Sequence, residues 1–271
     1  MTLMAVFIDT HAHLTFPDFS EEMDAVIGRA CENGITRIIT IGTDLASSQS
    51  AVELAAAHES VYAVVGWHPN DLDGSLDDVR PDLRELAGNQ KVVAIGETGI
   101  DHYRLPSSKG GSKRQDEERK EWQVRAFVQQ LELAVELGLN VVIHQRAAIE
   151  QTLEIFEPFA DRVRGQFHCF VNDKTHMRRI VEMNSLVSFT GILTFKNSQE
   201  VRDTLEDTPM DSFMLETDSP FLAPVPYRGK RCEPAYVREI AERAALVKGC
   251  TMEELSEVTC STARRFFFGL A

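Results

Sequence analysis

The chain has 271 residues, of which 43% are hydrophobic, and it carries a formal net charge of -14 at pH 7. A chain of this length and composition buries a sizeable core, and either one α/β barrel domain or two small domains would account for it. The acidic balance excludes a protein that coats nucleic acid through its bulk charge, but it permits a local site where metal ions meet phosphate.

Cysteine usage and hydropathy restrict where the protein works. The chain contains five cysteines, none of them in a CxxC pair, and their spacing predicts no disulfide framework. A reducing cytosol is the simplest environment for such thiols. No apolar stretch reaches the roughly 18 to 20 residues of a membrane span, and the N-terminal residues lack the basic and apolar regions of a secretion signal. We therefore expect a soluble, cytoplasmic protein with no membrane partner.

Short apolar runs alternate with helical stretches along the whole chain. The first run, at residues 6–8, precedes a helix that Ser20 would cap and that ends near residue 33. Seven further runs follow, at residues 35–41, 61–65, 91–95, 140–143, 165–167, 186–189 and 213–215. Helices are predicted at residues 44–58, 77–87, 115–137, 147–159 and 173–183, where Asp173 is the cap, then from near residue 198, and twice after residue 234. Pro, Gly and Ser in residues 106–112 favour a mobile loop there.

The alternation of strands with helices predicts a parallel sheet. Eight strands in a chain near the usual length of about 250 residues predict a single-domain (β/α)8 TIM barrel, which would span residues 1–271. An open doubly wound sheet is the alternative, but no GxGxxG follows the first strand.

The stretch FIDTHAH at residues 7–13 carries the first chemical signal. Alternate side chains of an extended chain project to the same side, so His11 and His13 can aim two imidazoles at one point. Imidazole is the commonest metal ligand among side chains, although an isolated HxH is a weak motif that two surface histidines would also produce.

Further His and acidic residues follow other predicted strands and strengthen this signal. They are His68, Glu97, His144, His168 and Asp218. In a barrel the C-terminal strand ends share one mouth, where such enzymes build their sites. A set of imidazoles and carboxylates without paired thiolates suits a catalytic divalent metal better than a closed structural zinc site. The two oxygens of Glu97 could bridge two ions about 3.5–4 Å apart, the usual clamp for phosphodiester cleavage.

A short basic cluster lies near the predicted Asp218 loop. Its members, Arg228, Lys230 and Arg231, would either contact substrate phosphates or form an ordinary solvated charge run.

The chain resembles the TatD family of metal-dependent deoxyribonucleases, within the amidohydrolase-like metallohydrolases. The matching stretches lie between residues 8 and 237 and read IDTHAHL, GWHP, IGETGIDHYR, VVIHQR, HCF, SFTGILTFKN and LETDSPFLAPVPYRGKRCEPAYV. The resemblance implies a distorted TIM barrel with two divalent metal ions, either Mg2+, Mn2+ or Zn2+. One ion would be bound by His11, His13, Glu97 and Asp218, the other by Glu97, His144 and His168, and His68 would contact a substrate phosphate.

Three departures from the family pattern bear on substrate preference. Gln145 stands where the family usually has Ser, and Cys232 stands where it usually has Asn. The segment after Arg104 is longer than usual, and it contains Lys109, Lys113 and Arg114.

We therefore expect a hydrolase that cleaves phosphodiester bonds in DNA, as an exonuclease, with Glu97 and Asp218 as catalytic residues. Asp218 would hold a metal ion and orient or deprotonate the attacking water. The alternative enzyme is a metal-dependent amidohydrolase or esterase that cleaves a C–N or C–O bond of a small molecule. Glu97 argues against it, because many of those enzymes place a modified lysine at strand four. A metal-binding interaction protein without catalysis is the remaining alternative.

Overall fold

A computed structural model describes residues 5–74 and 77–270. Its sheet contains eight parallel strands that are hydrogen-bonded in chain order from β1 to β8. They are β1 (Phe7–Ala12), β2 (Ile35–Ile41), β3 (Val61–Val65), β4 (Val92–Asp101), β5 (Asn140–Arg146), β6 (Gly165–Phe167), β7 (Leu186–Phe189) and β8 (Phe213–Leu215). This sequential order confirms the (β/α)8 barrel and excludes the doubly wound sheet, in which the strand order reverses.

Nine α-helices lie in the described ranges of the chain. They are α1 (Met23–Glu32), α2 (Leu45–Ala57), α3 (Arg80–Ala87), α4 (Lys113–Leu137), α5 (Ile149–Phe156), α6 (Lys174–Glu182), α7 (Gln199–Asp207), α8 (Val237–Lys248) and α9 (Met252–Phe266). None of these helices is long and apolar enough to cross a bilayer.

Alternation along the strands produces two hydrophobic clusters. Side chains such as Phe7 and Ile38 pack between the sheet and the helices. Their neighbours Ile8 and Ile39 belong to a second cluster, which includes Phe266 and other residues of α9. Because successive strand residues face opposite sides, the second cluster fills the barrel interior, and α9 covers it at one end.

The barrel closes at the residues that the sequence singled out. An isolated bridge between Ala12 and Ser219 joins β1 to the segment after β8. The amide of His13 donates to the carbonyl oxygen of Ser219 at 2.7 Å, and the amide of Asp218 donates to that of His11 at 2.9 Å. The short β8 therefore leaves the closure to backbone bonds that also bring these two segments together.

Some predicted boundaries are wrong. Ser20 does not cap α1, which begins at Met23; its hydroxyl donates instead to the carbonyl oxygen of Pro17 in a short 3-10 turn. Asp173 does cap α6. Part of the predicted loop forms a 3-10 helix at Pro106–Lys109, and α4 already begins at Lys113 because the Ser112 hydroxyl accepts from the amide of Gln115. The predicted mobility of residues 106–112 stays a prediction.

Candidate metal centre

The predicted histidines and carboxylates meet at the C-terminal mouth of the barrel. Three of them lie inside strands rather than after them, His11 in β1, Glu97 in β4 and His144 in β5. β4 continues to Asp101, six residues beyond the apolar run that predicts it, because the polar residues there still pair with β5. The mouth contains a cleft of about 500 Å³, and Glu97, His68 and Asp218 line it.

On the β1 side, two imidazole nitrogens and two carboxylate oxygens converge. The Nε2 atoms of His11 and His13 lie 3.3 Å apart. Oδ1 of Asp218 lies 3.3 Å from Nε2 of His13 and 3.8 Å from Nε2 of His11. Oε2 of Glu97 lies 3.5 Å from Nε2 of His11 and 3.7 Å from Nε2 of His13. We call these four residues site A.

On the β5 side, the other oxygen of the same carboxylate is the centre. Oε1 of Glu97 lies 2.8 Å from Nδ1 of His144 and 2.8 Å from Nε2 of His168. We call these three residues site B. Glu97 is 2% exposed, and it directs one oxygen at each site, which is the arrangement of a bridging carboxylate.

The ring tautomers indicate which nitrogens can bind a cation. Nε2 of His144 faces Oδ2 of Asp101 at 3.4 Å, and Nδ1 of His168 faces Oε1 of Glu216 at 3.5 Å. When a cation displaces the proton from the inward nitrogen, the carboxylate behind each ring favours a proton on the outward nitrogen, so the inward nitrogen can offer its lone pair. Inward lone pairs that face one carboxylate fit a divalent cation, and the donor set suits such an ion.

His68 differs from these histidines. Its Nδ1 accepts a hydrogen bond from the amide of Asn70 at 3.0 Å, and burial lowers the pKa of His68 to about 3. The ring is therefore neutral with its proton on Nε2, which lies 3.6 Å from Oε1 of Glu97. Ligand atoms of His68, Glu97 and His144 do converge closely enough to surround an ion. In this tautomer Nε2 donates a hydrogen bond and does not bind a cation, which is compatible with the predicted contact to substrate; that contact stays a prediction.

The electrostatics of the ion-free site show how strongly the groups interact. Burial raises the pKa of Glu97, but the charge of His168 and hydrogen bonds from His11 and His144 outweigh burial and hold that pKa well below its ordinary value. Conversely, burial lowers the pKa of His168, while the Glu97 and Glu216 carboxylates raise it well above its ordinary value. The site therefore attracts positive charge, whether protons or cations.

Sequence reasoning missed the residues that support the ligands. Glu216 is fully buried and accepts from the Ser188 hydroxyl at 2.6 Å, from Nε2 of Gln166 at 2.9 Å and from the amide of Cys169 at 2.7 Å. These bonds fix the carboxylate that faces His168. Position 216 is two residues before Asp218, and that spacing is a signal that could have found Glu216.

Asp9 holds the segment that carries Asp218. Its carboxylate accepts from the amide of Thr217 at 2.9 Å and from the Thr217 hydroxyl at 2.6 Å. Burial raises the pKa of Asp9 to about 8. Asp9 shares the spacing of two with His11 and His13, and that spacing is the signal that could have found it.

The three residues of the predicted basic cluster have different surroundings in the structure. The Arg231 guanidinium lies 2.8 Å from a Glu22 oxygen and 2.7 Å from a Glu233 oxygen. These carboxylates neutralise its charge and would compete with a phosphate for the guanidinium, and a contact between Arg231 and substrate stays a prediction. Arg228 is exposed and lies over the Phe195 ring at 3.7 Å, and Lys230 is exposed as well.

The departures from the family pattern also differ in position. The Gln145 side chain lines the cleft and donates to the Asn172 side chain. Cys232 is fully buried, and its amide donates to the carbonyl oxygen of Pro220 at 3.0 Å. Cys232 is not among the residues that line the cleft.

Comparison with known proteins agrees with this geometry. The family model described as TatD related DNase matches residues 8–268. The chain is 36% identical to the uncharacterized metal-dependent hydrolase YabD of Bacillus subtilis, over 97% of this chain and 99% of that protein. It is 32% identical to the 3'-5' ssDNA/RNA exonuclease TatD of Erwinia tasmaniensis, over 96% of this chain and 98% of that protein. The crystal structure of YJJV, a TatD homologue from Escherichia coli, superposes with a TM-score of 0.86 at 25% identity, over 96% of this chain and 97% of that one. The chain therefore belongs to the TatD family of metal-dependent hydrolases.

Proposed function

We propose that the protein hydrolyses phosphodiester bonds in DNA as an exonuclease that uses two divalent metal ions. The observation that carries the proposal is the Glu97 carboxylate, which directs one oxygen at site A and the other at site B. Ions held at both sites would supply Lewis acidity, which acidifies a water molecule and neutralises charge on the phosphate. The family model and the named activity of the Erwinia relative support nucleic acid as the substrate.

The chain's own groups would bind, orient and move protons around that phosphate. Asp218 lines the cleft beside His13, where its carboxylate can orient the attacking water and take its proton. Nε2–H of His68 can donate to a phosphate oxygen, because its other ring nitrogen is already engaged by Asn70. Asp101 would fix the orientation of the His144 ring, and Glu216 would fix that of the His168 ring.

One assay tests the proposal against the alternative hydrolase. The purified protein is stripped with a chelator, resupplied with Mg2+, Mn2+ or Zn2+, and incubated with single- and double-stranded DNA labelled at the 3′ or 5′ end. A parallel panel contains RNA and small esters and amides. We expect metal-dependent release of nucleotides from one end of the DNA. Hydrolysis of esters or amides without cleavage of any nucleic acid would replace the proposal with the amidohydrolase or esterase.

A further inference from the structure

The cleft mouth has two chemically different walls on opposite sides of the metal centre. Because the strands follow one another around the barrel in chain order, segments after β6, β7, β8 and β1 lie on one half of the mouth, and those of β3, β4 and β5 lie on the other. The first half contributes an apolar wall of Phe16, Val171, Ile192, Phe221 and Leu222, and the second contributes a polar wall that includes Asn70, Asp71, Asp101, Arg104, Gln145 and Arg146.

The apolar wall presents an aromatic ring to the cleft. Phe221 is 50% exposed, although a phenylalanine ring gains free energy when it is buried. Its ring meets that of Phe16 edge to face at 5.9 Å, and Phe16 stacks on the ring of His13 at 4.7 Å. The amide of Phe221 also donates to the carbonyl oxygen of Asp218 at 2.9 Å. The exposed ring is therefore held at a fixed position beside site A.

The polar wall presents two guanidinium groups to the cleft in an acidic protein. The amide of Arg104 donates to Oδ1 of Asp101 at 2.9 Å, and the guanidinium of Arg146 lies over the Tyr103 ring at 3.9 Å. Within the described ranges neither guanidinium has an acidic partner at ion-pair distance, in contrast to Arg231. Unneutralised guanidinium groups favour phosphate.

We propose that the two walls read an unpaired nucleotide: Phe221, backed by Phe16, stacks on its base, and Arg104 and Arg146 bind the phosphate of the neighbouring nucleotide. The inference rests on the proposed function and names the form of its substrate. A base inside a duplex has both faces covered by neighbouring pairs and the terminal pair of a blunt end offers only its outer face, whereas an unpaired terminal base can turn either face to Phe221. Phe221 is then a determinant of specificity for unpaired ends.

The experiment combines variants of Phe221 with oligonucleotides that lack one base. Single-stranded DNA carries either a normal terminal nucleotide or an abasic one, and both binding in chelator, by fluorescence anisotropy, and cleavage with metal are measured. For the wild-type protein, loss of the base should lower both the affinity and the cleavage rate by roughly tenfold to a hundredfold. In Phe221→Ala the ratio of each quantity for normal DNA to that for abasic DNA should fall toward one, and Phe221→Trp should restore the ratio.

Two further variants separate stacking from other effects. Phe268→Ala removes a ring that is 53% exposed and lies outside the cleft lining, so it should leave the ratio unchanged. Arg146→Gln should weaken normal and abasic DNA equally and lower the slope of log affinity against log salt by about one. A ratio that is the same in Phe221→Ala as in the wild type would overturn the inference.

The outcome remains interpretable if the proposed function fails. A wild-type protein that cleaves no nucleic acid refutes the proposed function, whereas binding in chelator still tests the stacking of Phe221 on the terminal base. A protein that cleaves DNA but shows no dependence on Phe221 refutes the inference alone.

Discussion

Gly99 and His144 lie opposite each other where β4 pairs with β5, and a Cβ on Gly99 would fall 2.0 Å from the carbonyl oxygen of His144. Gly99 also has a φ of +139°, which L side chains rarely adopt. The missing side chain lets the two strands approach, and this approach allows Nδ1 of His144 to lie 2.8 Å from Oε1 of Glu97. The glycine is thus a structural requirement of site B.

Gly99→Ala should therefore damage both the fold and site B. We expect backbone strain and overpacking to lower the free energy of unfolding by about 2–6 kcal/mol. Gly138→Ala is the matched control, since Gly138 has a φ of +67° and a Cβ there would meet nothing within 4 Å, and it should cost only about 1 kcal/mol. Denaturant unfolding and metal analysis check this. Equal effects of the two substitutions would show that the approach to His144 is unimportant.

Metal removal should destabilise the protein, and more so at higher pH. A ligand at 100 times its dissociation constant stabilises a fold by about 2.7 kcal/mol. The Glu97 and Glu216 carboxylates overcome burial and raise the pKa of His168 in the ion-free protein, and protons compete with cations for that ring. A raised folded-state pKa stabilises the ion-free protein below the unfolded-state pKa, and this contribution is lost as pH rises through the folded-state pKa.

Thermal unfolding with metal and with chelator should thus give a Tm difference that grows as pH rises from the ordinary histidine pKa of about 6.5 toward the higher folded-state pKa of His168. A Tm difference that is constant over this range, or one that shrinks with rising pH, would contradict the proposed role of His168 as a ligand.

The basic residues after Asp218 should separate into two classes. Arg231→Gln should lower the free energy of unfolding by about 1–2 kcal/mol, because it leaves the buried Glu233 carboxylate without one of its partners. The double variant Arg228→Gln, Lys230→Gln should instead leave Tm nearly unchanged and weaken DNA binding, with a salt slope lower by about one for each phosphate that the variant no longer binds. Anisotropy titrations at several salt concentrations and thermal unfolding distinguish these results. A normal salt slope in the double variant would remove both residues from the DNA-binding surface.

The basic residues just before and at the start of α4 are a further group that could contact DNA. Lys109 is at the end of the 3-10 helix, Lys113 begins α4, and Arg114 pairs with Glu118 at 2.8 Å. If this segment contacts DNA, neutralising the three residues should weaken binding and flatten its salt dependence. Arg125→Gln is a control, since Arg125 lies on α4 near Asp77 and outside the cleft lining. Unchanged affinity at every salt concentration would exclude the segment from substrate binding.

The hydropathy pattern predicts the barrel but not the full length of its strands. The eight apolar runs predict every strand, because buried parallel strands consist of continuous apolar residues. The pattern ends β4 at residue 95, whereas the strand reaches Asp101, since a site-forming strand carries polar residues that hydropathy does not count. Ser20 looks like a helix cap, but it follows the 3-10 helix Pro17–Phe19, and its hydroxyl donates to the carbonyl oxygen of Pro17.

The candidate ligands were predictable from the sequence, but the residues behind them were not. His11 and His13 are recognisable by their spacing, and the other candidates by their positions after apolar runs, while resemblance to the family implies how they divide between two ions. Glu216 acts through Ser188 and Gln166, which the chain brings together only when β6, β7 and β8 assemble. The proton position on His68 depends on a single backbone amide, which no side-chain pattern encodes.

Asp218 allows catalysis to be separated from metal binding. Its φ is +57°, a left-handed conformation that asparagine also tolerates. Asp218→Asn therefore keeps the backbone and one oxygen, and it removes the negative charge and the base. We expect cleavage to fall by roughly 10²–10⁴-fold, the loss typical of a general base, with DNA binding nearly intact.

His144→Ala provides the contrast, because it removes a ligand and not a base. Its loss should act mainly through metal occupancy of site B, and excess metal should restore part of the activity. Metal content, DNA affinity and cleavage rate are measured on both variants under the same conditions. Near-normal cleavage by Asp218→Asn with full metal occupancy would show that no proton moves to Asp218, and His13 and His11 would then hold their ion without its catalytic help.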